Sequence, residues 1–173
     1  MTISIRPAGP ADVRAITAIY AQAVRHGTAS FEIDPPDEVE MGNRQRALLE
    51  GDYLYLVAEL GGAIAGYAYA GPYRARPAYR WSVEDSIYVE PSAQRRGLGR
   101  MLLDRLMAEA ATRGFRQMIA VIGDSAQVPS IELHRVAGFR LIGTLEAVGF
   151  KHGRWLDSVL MQRALGDGAT RTP

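Results

Sequence analysis

Apolar residues recur along this chain with two different periods. Ile3 and Ile5 alternate with polar neighbours, which predicts a short first strand over residues 3–6. Gly9, Pro10, Ala11 and Asp12 open a helix, with Pro10 suited to a first-turn position. Ile16, Ile19, Tyr20, Ala23 and Val24 then keep helical spacing until Gly27 stops them. A polar stretch around Pro35 and Pro36 leads into a second helix over residues 37–49. Two strands follow over residues 53–58 and 63–69, and Gly61 with Gly62 marks the hairpin between them. Residues 71–80 read as a loop, and residues 82–89 as a strand ended by Pro91.

The strongest amphipathic pattern covers residues 97–113. Leu98, Leu102, Leu106 and Ala110 make one row, Met101, Leu103 and Met107 widen it, and Gly114 sits at the C′ position. A strand over residues 117–122, a short helix over residues 130–137 closed by Gly138, and strands over residues 139–144 and 155–162 complete the pattern. A strand meander followed by strand–helix–strand–helix–strand predicts an α/β chain of α+β character. Its sheet is mixed and largely antiparallel, with one parallel βαβ unit and flanking helices.

The 173 residues suit one domain, expected over residues 1–165, with a small, polar, flexible tail over residues 166–173. A net charge of +1 supplies no global field for nucleic acid or an anionic membrane, so any anion site must be local. The absence of cysteine excludes disulfides, thiolate metal sites and a cysteine nucleophile. The first residues lack the apolar core of a signal peptide and no run reaches membrane-spanning length, so a cytoplasmic location is expected. His26, His134 and His152 are dispersed and give no metal-site spacing. His26 suits a helix cap, and His152 a hairpin turn.

Chemistry concentrates where the strand over residues 82–89 turns into the long helix. Gly97 and Gly99 remove side chains where main-chain N–H groups approach a ligand closely. Those groups open a helix, where unpaired donors and the dipole favour an anion, and Arg95, Arg96 and Arg100 add positive charge. The combination reads as a diphosphate cradle; the plain alternative is a helix start with two turn glycines and solvated arginines. The spacing is not that of a P-loop, and Leu102 replaces the third glycine of a dinucleotide fingerprint.

Gln94, Arg95, Arg96, Gly97, Leu98 and Gly99 resemble the Gln/Arg-x-x-Gly-x-Gly/Ala loop of the GNAT N-acetyltransferase superfamily. The resemblance runs from Ile5, Arg6 and Pro7 to Gln162. Two longer strings, Gly71 through Trp81 and Gly149 through Asp157, narrow it to the phosphinothricin and methionine sulfoximine acetyltransferase branch. The resemblance implies that acetyl-CoA is the co-substrate, with no metal. Arg95, Arg96, Gly97, Leu98, Gly99 and Arg100 then hold its pyrophosphate, and Ile87, Tyr88 and Val89 its pantetheine arm. Gln127, where the family commonly has asparagine, and Ser130 complete the cofactor set. A homodimer is implied as well.

With no cysteine, direct attack of an amine on the thioester within a ternary complex is the simplest scheme. Such transfer needs a proton acceptor and stabilisation of the departing thiolate. Glu84 shares one strand face with Ser86 and Tyr88, and it falls where that branch has its catalytic glutamate. The alternative is a surface or salt-bridged glutamate, and Asp85, on the opposite face, is the weaker rival. His134 stands where many members have a tyrosine that protonates the thiolate. It is expected to act as acid, to position coenzyme A, or to pack structurally against Ile131.

Arg74 and Arg76 suit a bidentate grip on an anionic acceptor, the alternative being two solvated loop arginines; Tyr73 walls the pocket or is a core or interface aromatic, with Glu84, Asp85 and Ser86 beside it. Acetylation of an amino-acid-like α-amine is therefore expected, the acceptor resembling phosphinothricin, methionine sulfoximine or methionine sulfone. A polyamine or protein N-terminus as acceptor, and a non-catalytic acyl-CoA-binding module, are the alternatives. Nucleic-acid binding is not expected, because the basic cluster is short and carries no interleaved aromatics.

Overall fold

The structure is a computed structural model describing residues 2–173; Met1, the first residue of the expected domain, lies outside them. In chain order the elements are β1 (Ile3–Pro7), α1 (Val13–His26), α2 (Glu38–Glu50), β2 (Leu54–Leu60), β3 (Ala63–Pro72), β4 (Ser82–Val89), α3 (Leu98–Thr112), β5 (Gln117–Gly123), α4 (Val128–Val136), β6 (Arg140–Lys151) and β7 (Arg154–Ala164). The strands make one sheet in the order β1-β2-β3-β4-β5-β7-β6. Among the described residues only β4 and β5 run parallel, joined through α3; every other pairing is antiparallel. The mixed sheet with one parallel crossover is the expected architecture.

Both faces of the sheet are covered, which explains the unbroken apolar run at the start of β2. Leu54, Leu56 and Ala58 join Val83 and α3 in one core. Tyr55 and Val57 join Tyr67, α1 and Met41 of α2 in the other. Burying each large α3 side chain stabilises the fold by about 1.5–3 kcal/mol. The buried stripe of α3 runs through Leu98, Leu102, Leu103, Leu106, Met107 and Ala110. Met101, read as widening the apolar row, is instead 40 % exposed, because it lies nearly opposite Leu106 and Ala110 around the helix.

Helix boundaries follow side-chain chemistry. The Asp37 carboxylate accepts the Glu40 N–H at 2.8 Å and starts α2. Gly114, at φ 88°, ends α3. Before α1 the chain makes a 3-10 turn over Pro10–Asp12, where Asp12 accepts the Gly9 N–H and is gripped by the two terminal guanidinium nitrogens of Arg6.

Three boundaries differ from the sequence reading. β3 continues to Pro72, so the loop over residues 71–80 is shorter, and Pro77–Tyr79 forms a 3-10 turn within it. α4 begins at Val128, which brings Pro129 into its first turn. β6 runs to Lys151 rather than stopping near Thr144. Gly143 and Gly149 are poor strand formers and Ala147 takes φ 52°, yet the strand absorbs them with register shifts after Leu141 and Leu145. Its hairpin to β7 then turns on His152 and Gly153, at φ 51° and 73°. After β7 the residues beyond Leu165 form turns, with Arg116 and Asp167 3.5 Å apart.

Candidate active site

The parallel strands stay together only briefly. Pairing runs from Ser82 opposite Gln117 to Asp85 opposite Ala120, and there β4 and β5 part. β5 continues to Gly123 against β7, while residues 86–89 keep β3 as partner and present a free backbone edge toward the gap. The fork opens into a cavity of about 670 Å³. Because β4 has no partner on that edge, residues from both of its faces line the cavity: Asp85, Ile87 and Val89 from one, Ser86 and Tyr88 from the other.

At one end of the cavity lies the turn into α3. The Glu90 carboxylate accepts the Ser92 N–H at 2.9 Å, and a 3-10 turn follows over Pro91–Ala93. Arg95 takes φ 60°, the left-handed region that L residues adopt at a cost, and Gly97 takes φ 85° with no atom within 4 Å of where a Cβ would sit. Met101 is the first helical residue whose N–H reaches a backbone acceptor, Gly97 O at 3.0 Å. Among the described residues, the amides of residues 95–100 have no backbone acceptor. Six main-chain donors at a helix start, beside arginines, make a site for an anion.

The cofactor residues read from the sequence divide here. Ile87, Tyr88, Val89, Arg95, Gly97, Leu98, Gly99, Arg100, Gln127 and Ser130 all line the fork cavity, whereas Arg96 is exposed and does not. Leu98 contributes main chain only, its side chain being buried in the core. The Arg100 guanidinium is held by Asp104 at 2.7 Å and by Val136 O at 2.9 Å. Gln127 Nε2 donates to Thr28 Oγ1 at 3.1 Å, so its side chain bridges to the segment after α1.

Glu84 is not part of that cavity wall; it is half-buried, opposite Gly71 on β3. Its carboxyl is raised above the ordinary glutamate value by burial first and by the nearby Asp85 charge second, with Arg74 pulling it back down. Asp85, on the opposite face, is buried and meets His134. His134 Nε2 lies 2.9 Å from Asp85 Oδ2, and Nδ1 lies 2.7 Å from the Ser130 carbonyl oxygen. The His134 ring packs edge-on against Phe139 at 5.0 Å. Burial lowers the His134 pKa, but Asp85 and the Ser130 carbonyl outweigh it, and the net shift is upward.

Arg74, Arg76 and Tyr73 also stay away from the fork. They occupy the β3–β4 loop beside Glu84, with the Arg74 guanidinium 5.1 Å above the Tyr73 ring and Tyr73 edge-on to Tyr79. The candidate site thus has two parts, an anion-binding fork and an arginine-bearing loop, and Glu84 stands between them on β4.

Sequence reading missed the segment after α1. Its Thr28 hydroxyl donates to Asp124 at 2.9 Å, Lys151 Nζ donates to Ser30 O at 2.7 Å, and Phe31 covers Gly123 and Gly149. Burial lowers the Lys151 pKa. Burial pushes the Asp124 carboxyl up, but the Ala126 N–H, Arg154 and Thr28 together hold it below its ordinary value. The strings around Gly149 and Asp157 carry this clasp, but their partners lie about a hundred residues away in sequence. A second cavity of about 340 Å³, walled by Tyr20, Tyr55, Tyr67 and Tyr69, was likewise hidden, because its residues read as core. Among the described residues no group of three or more His, Asp or Glu is placed to hold a metal ion.

The acetyltransferase (GNAT) family profile matches residues 16–139. A phosphinothricin N-acetyltransferase of Alcaligenes faecalis is 52% identical over 162 residues, covering 94% of this chain and 82% of that protein. An L-methionine sulfoximine/L-methionine sulfone acetyltransferase of Salmonella typhimurium is 39% identical over 170 residues, 96% of this chain and 97% of that one. A phosphinothricin acetyltransferase from Sinorhizobium meliloti, solved in complex with acetyl-CoA, superposes with a TM-score of 0.97 at 49% identity. That superposition covers 100% of this chain and 94% of the other.

Proposed function

This chain belongs to the acetyltransferase (GNAT) family, and on that premise we propose that it transfers acetyl from acetyl-CoA to the α-amino group of a small amino-acid-like acceptor. The acceptor class is that of phosphinothricin, methionine sulfoximine and methionine sulfone, the compounds named for its relatives. One observation carries the reading: the fork between β4 and β5 opens onto six main-chain amides without backbone acceptors. That arrangement fits a ligand with an anionic diphosphate and an extended amide-bearing arm. The amides of residues 95–100 would hold the diphosphate, and the free edge of residues 86–89 the arm.

Acetyl-CoA supplies the activated acyl group as a thioester. Glu84 takes one proton from the acceptor's ammonium, and its raised pKa makes it a better base than an ordinary glutamate. The freed amine attacks the thioester carbon, the C–N bond forms and the C–S bond breaks. The second proton lost by nitrogen ends on sulfur, so the products are the amide and the free thiol. His134, at the closed end of the fork, supplies the buried polar surroundings of the sulfur. Arg74 and Arg76 grip the acceptor's carboxylate or its phosphinate or sulfur-bound oxygen.

A homodimer in the cytoplasm, where acetyl-CoA is available, belongs to the same proposal. The dimer is supported by β6, an edge strand on which Leu145, Val148 and Phe150 are each at least half exposed. Amine-dependent thiol release, measured across α-amino acids, their sulfone, sulfoximine and phosphinate analogues, and polyamines, tests the function. Turnover confined to the α-amino acid class is expected. Acetyl-CoA binding with no turnover on any amine would leave a binding module instead.

A further inference from the structure

His134 has an acceptor at each ring nitrogen. The Ser130 carbonyl oxygen, 2.7 Å from Nδ1, can only accept, so Nδ1 carries a proton. Asp85 Oδ2, 2.9 Å from Nε2, accepts from the second nitrogen whenever Asp85 is ionised. Both side chains are almost wholly buried, at 5% and 2% exposure. Neither ring proton is then free to face the cavity that both residues line.

We propose that Asp85 is a positioning residue that fixes His134 as a permanent imidazolium, so that His134 serves the departing thiolate as a buried positive charge rather than as a titrating acid. The inference rests on the acetyltransferase reading and assigns work to a residue that sequence left as a rival base. Other charges do not compete for His134. On α4, Glu132 and Arg135 pair with each other at the exposed side. On α3, Arg100 is held by Asp104 and Val136 O. Phe139 is uncharged and packs perpendicular to the His134 ring, and Glu84 is on the opposite face of β4. Asp85 is the one carboxylate whose charge acts on His134, and the net effect on the ring is upward.

The geometry also explains an orphan. Asp85 Oδ1 is buried and has no hydrogen-bond partner. The Asp85 carboxyl spends Oδ2 on His134 and leaves Oδ1 buried without a partner. Its pairing with a positive ring leaves the two residues neutral together, which makes their burial tolerable.

The test is ring ¹⁵N NMR of the intact protein with and without acetyl-CoA, read beside turnover. In wild type both His134 nitrogens are expected to remain protonated well above pH 7. In Asp85→Asn one nitrogen is expected to lose its proton by pH 7.5, and turnover to fall about 10- to 100-fold with the acetyl-CoA KM little changed. His134→Gln added to Asp85→Asn is expected to cost little more, because the two act as a unit. A deprotonated His134 nitrogen in wild type at pH 7 overturns the proposal, as does Asp85→Asn with both nitrogens still protonated. The wild-type spectrum decides by itself if Asp85→Asn does not fold. It does not depend on which amine is acetylated, so failure of the acceptor assignment shows separately, as absent turnover beside an intact imidazolium signal.

Discussion

Burial and the neighbouring Asp85 both favour the protonated form of Glu84, Arg74 favours the ionised form, and the net shift is upward. Two consequences follow, with opposite signs for activity and stability. In the proposed role of Glu84 as proton acceptor the carboxylate is the active form, so kcat/KM should fall as pH drops through a value above 4.5, the ordinary one for glutamate. Stability runs the other way: between pH 4.5 and the raised pKa the folded state holds the proton more tightly than the unfolded state, so ionising Glu84 destabilises the fold as pH rises. Glu84→Gln is therefore expected to lose about 10²- to 10⁴-fold in kcat, to lose the acidic limb of the pH profile, and to keep its acetyl-CoA affinity. Its melting temperature should exceed that of wild type at pH 7.5 and match it near pH 4. Unchanged turnover would remove Glu84 from the chemistry. The place of Glu84 on β4, on the face opposite Asp85, was legible because period-2 alternation is local. The bond from Asp85 to His134 was not, since it spans 49 residues and exists only once α4 has packed beside the fork.

Among elements, the turn into α3 was the most legible, because its requirements are carried by neighbouring residues. Gly97 at φ 85° has open space where a Cβ would go, so Gly97→Ala costs backbone strain alone, about 1–2 kcal/mol. It is expected to weaken acetyl-CoA binding about tenfold, since relaxing that strain turns main-chain amides out of register. Calorimetry giving wild-type affinity would show that the amides do not grip the ligand. The segment after α1 makes the converse case. A Cβ on Gly123 would lie 2.5 Å from Thr28 O and 2.9 Å from the Phe31 ring, and the first of these is backbone that cannot swing aside. Gly123→Ala should destabilise by roughly 1–3 kcal/mol, lowering the melting temperature by about 2–4 °C per kcal/mol. A melting curve coincident with wild type would mean that the segment yields freely. Nothing in the strand pattern announced this contact, because a strand's own spacing cannot report a neighbour brought in by the chain crossing.

For the molecule as a whole, sequence patterning gave the sheet, its parallel unit and the helix faces, since each element has a covered side that its own period records. β6 broke that rule. It lies at the sheet edge, is 12 residues long, and carries Leu141, Leu145, Val148 and Phe150 with half or more of each exposed. Trp155, edge-on to Phe150, is 65% exposed. A monomer does not usually leave so long and apolar an edge to water, and a second copy seated there would remove it. Leu145→Lys with Phe150→Lys places two charges on already exposed positions, so the fold should survive while self-association should not. Light scattering behind size exclusion is expected to give twice the 18.9 kDa chain mass for wild type and the single-chain mass for the variant. The fork is lined by residues of one chain, so the monomeric variant should still bind acetyl-CoA with wild-type affinity. Its acceptor KM should rise, because Phe31 leans on Gly149 of β6 and couples that edge to the segment beside the fork. A wild-type protein that runs as a monomer at micromolar concentration would sink the dimer. A monomeric variant that no longer binds acetyl-CoA would show instead that the fork depends on the partner.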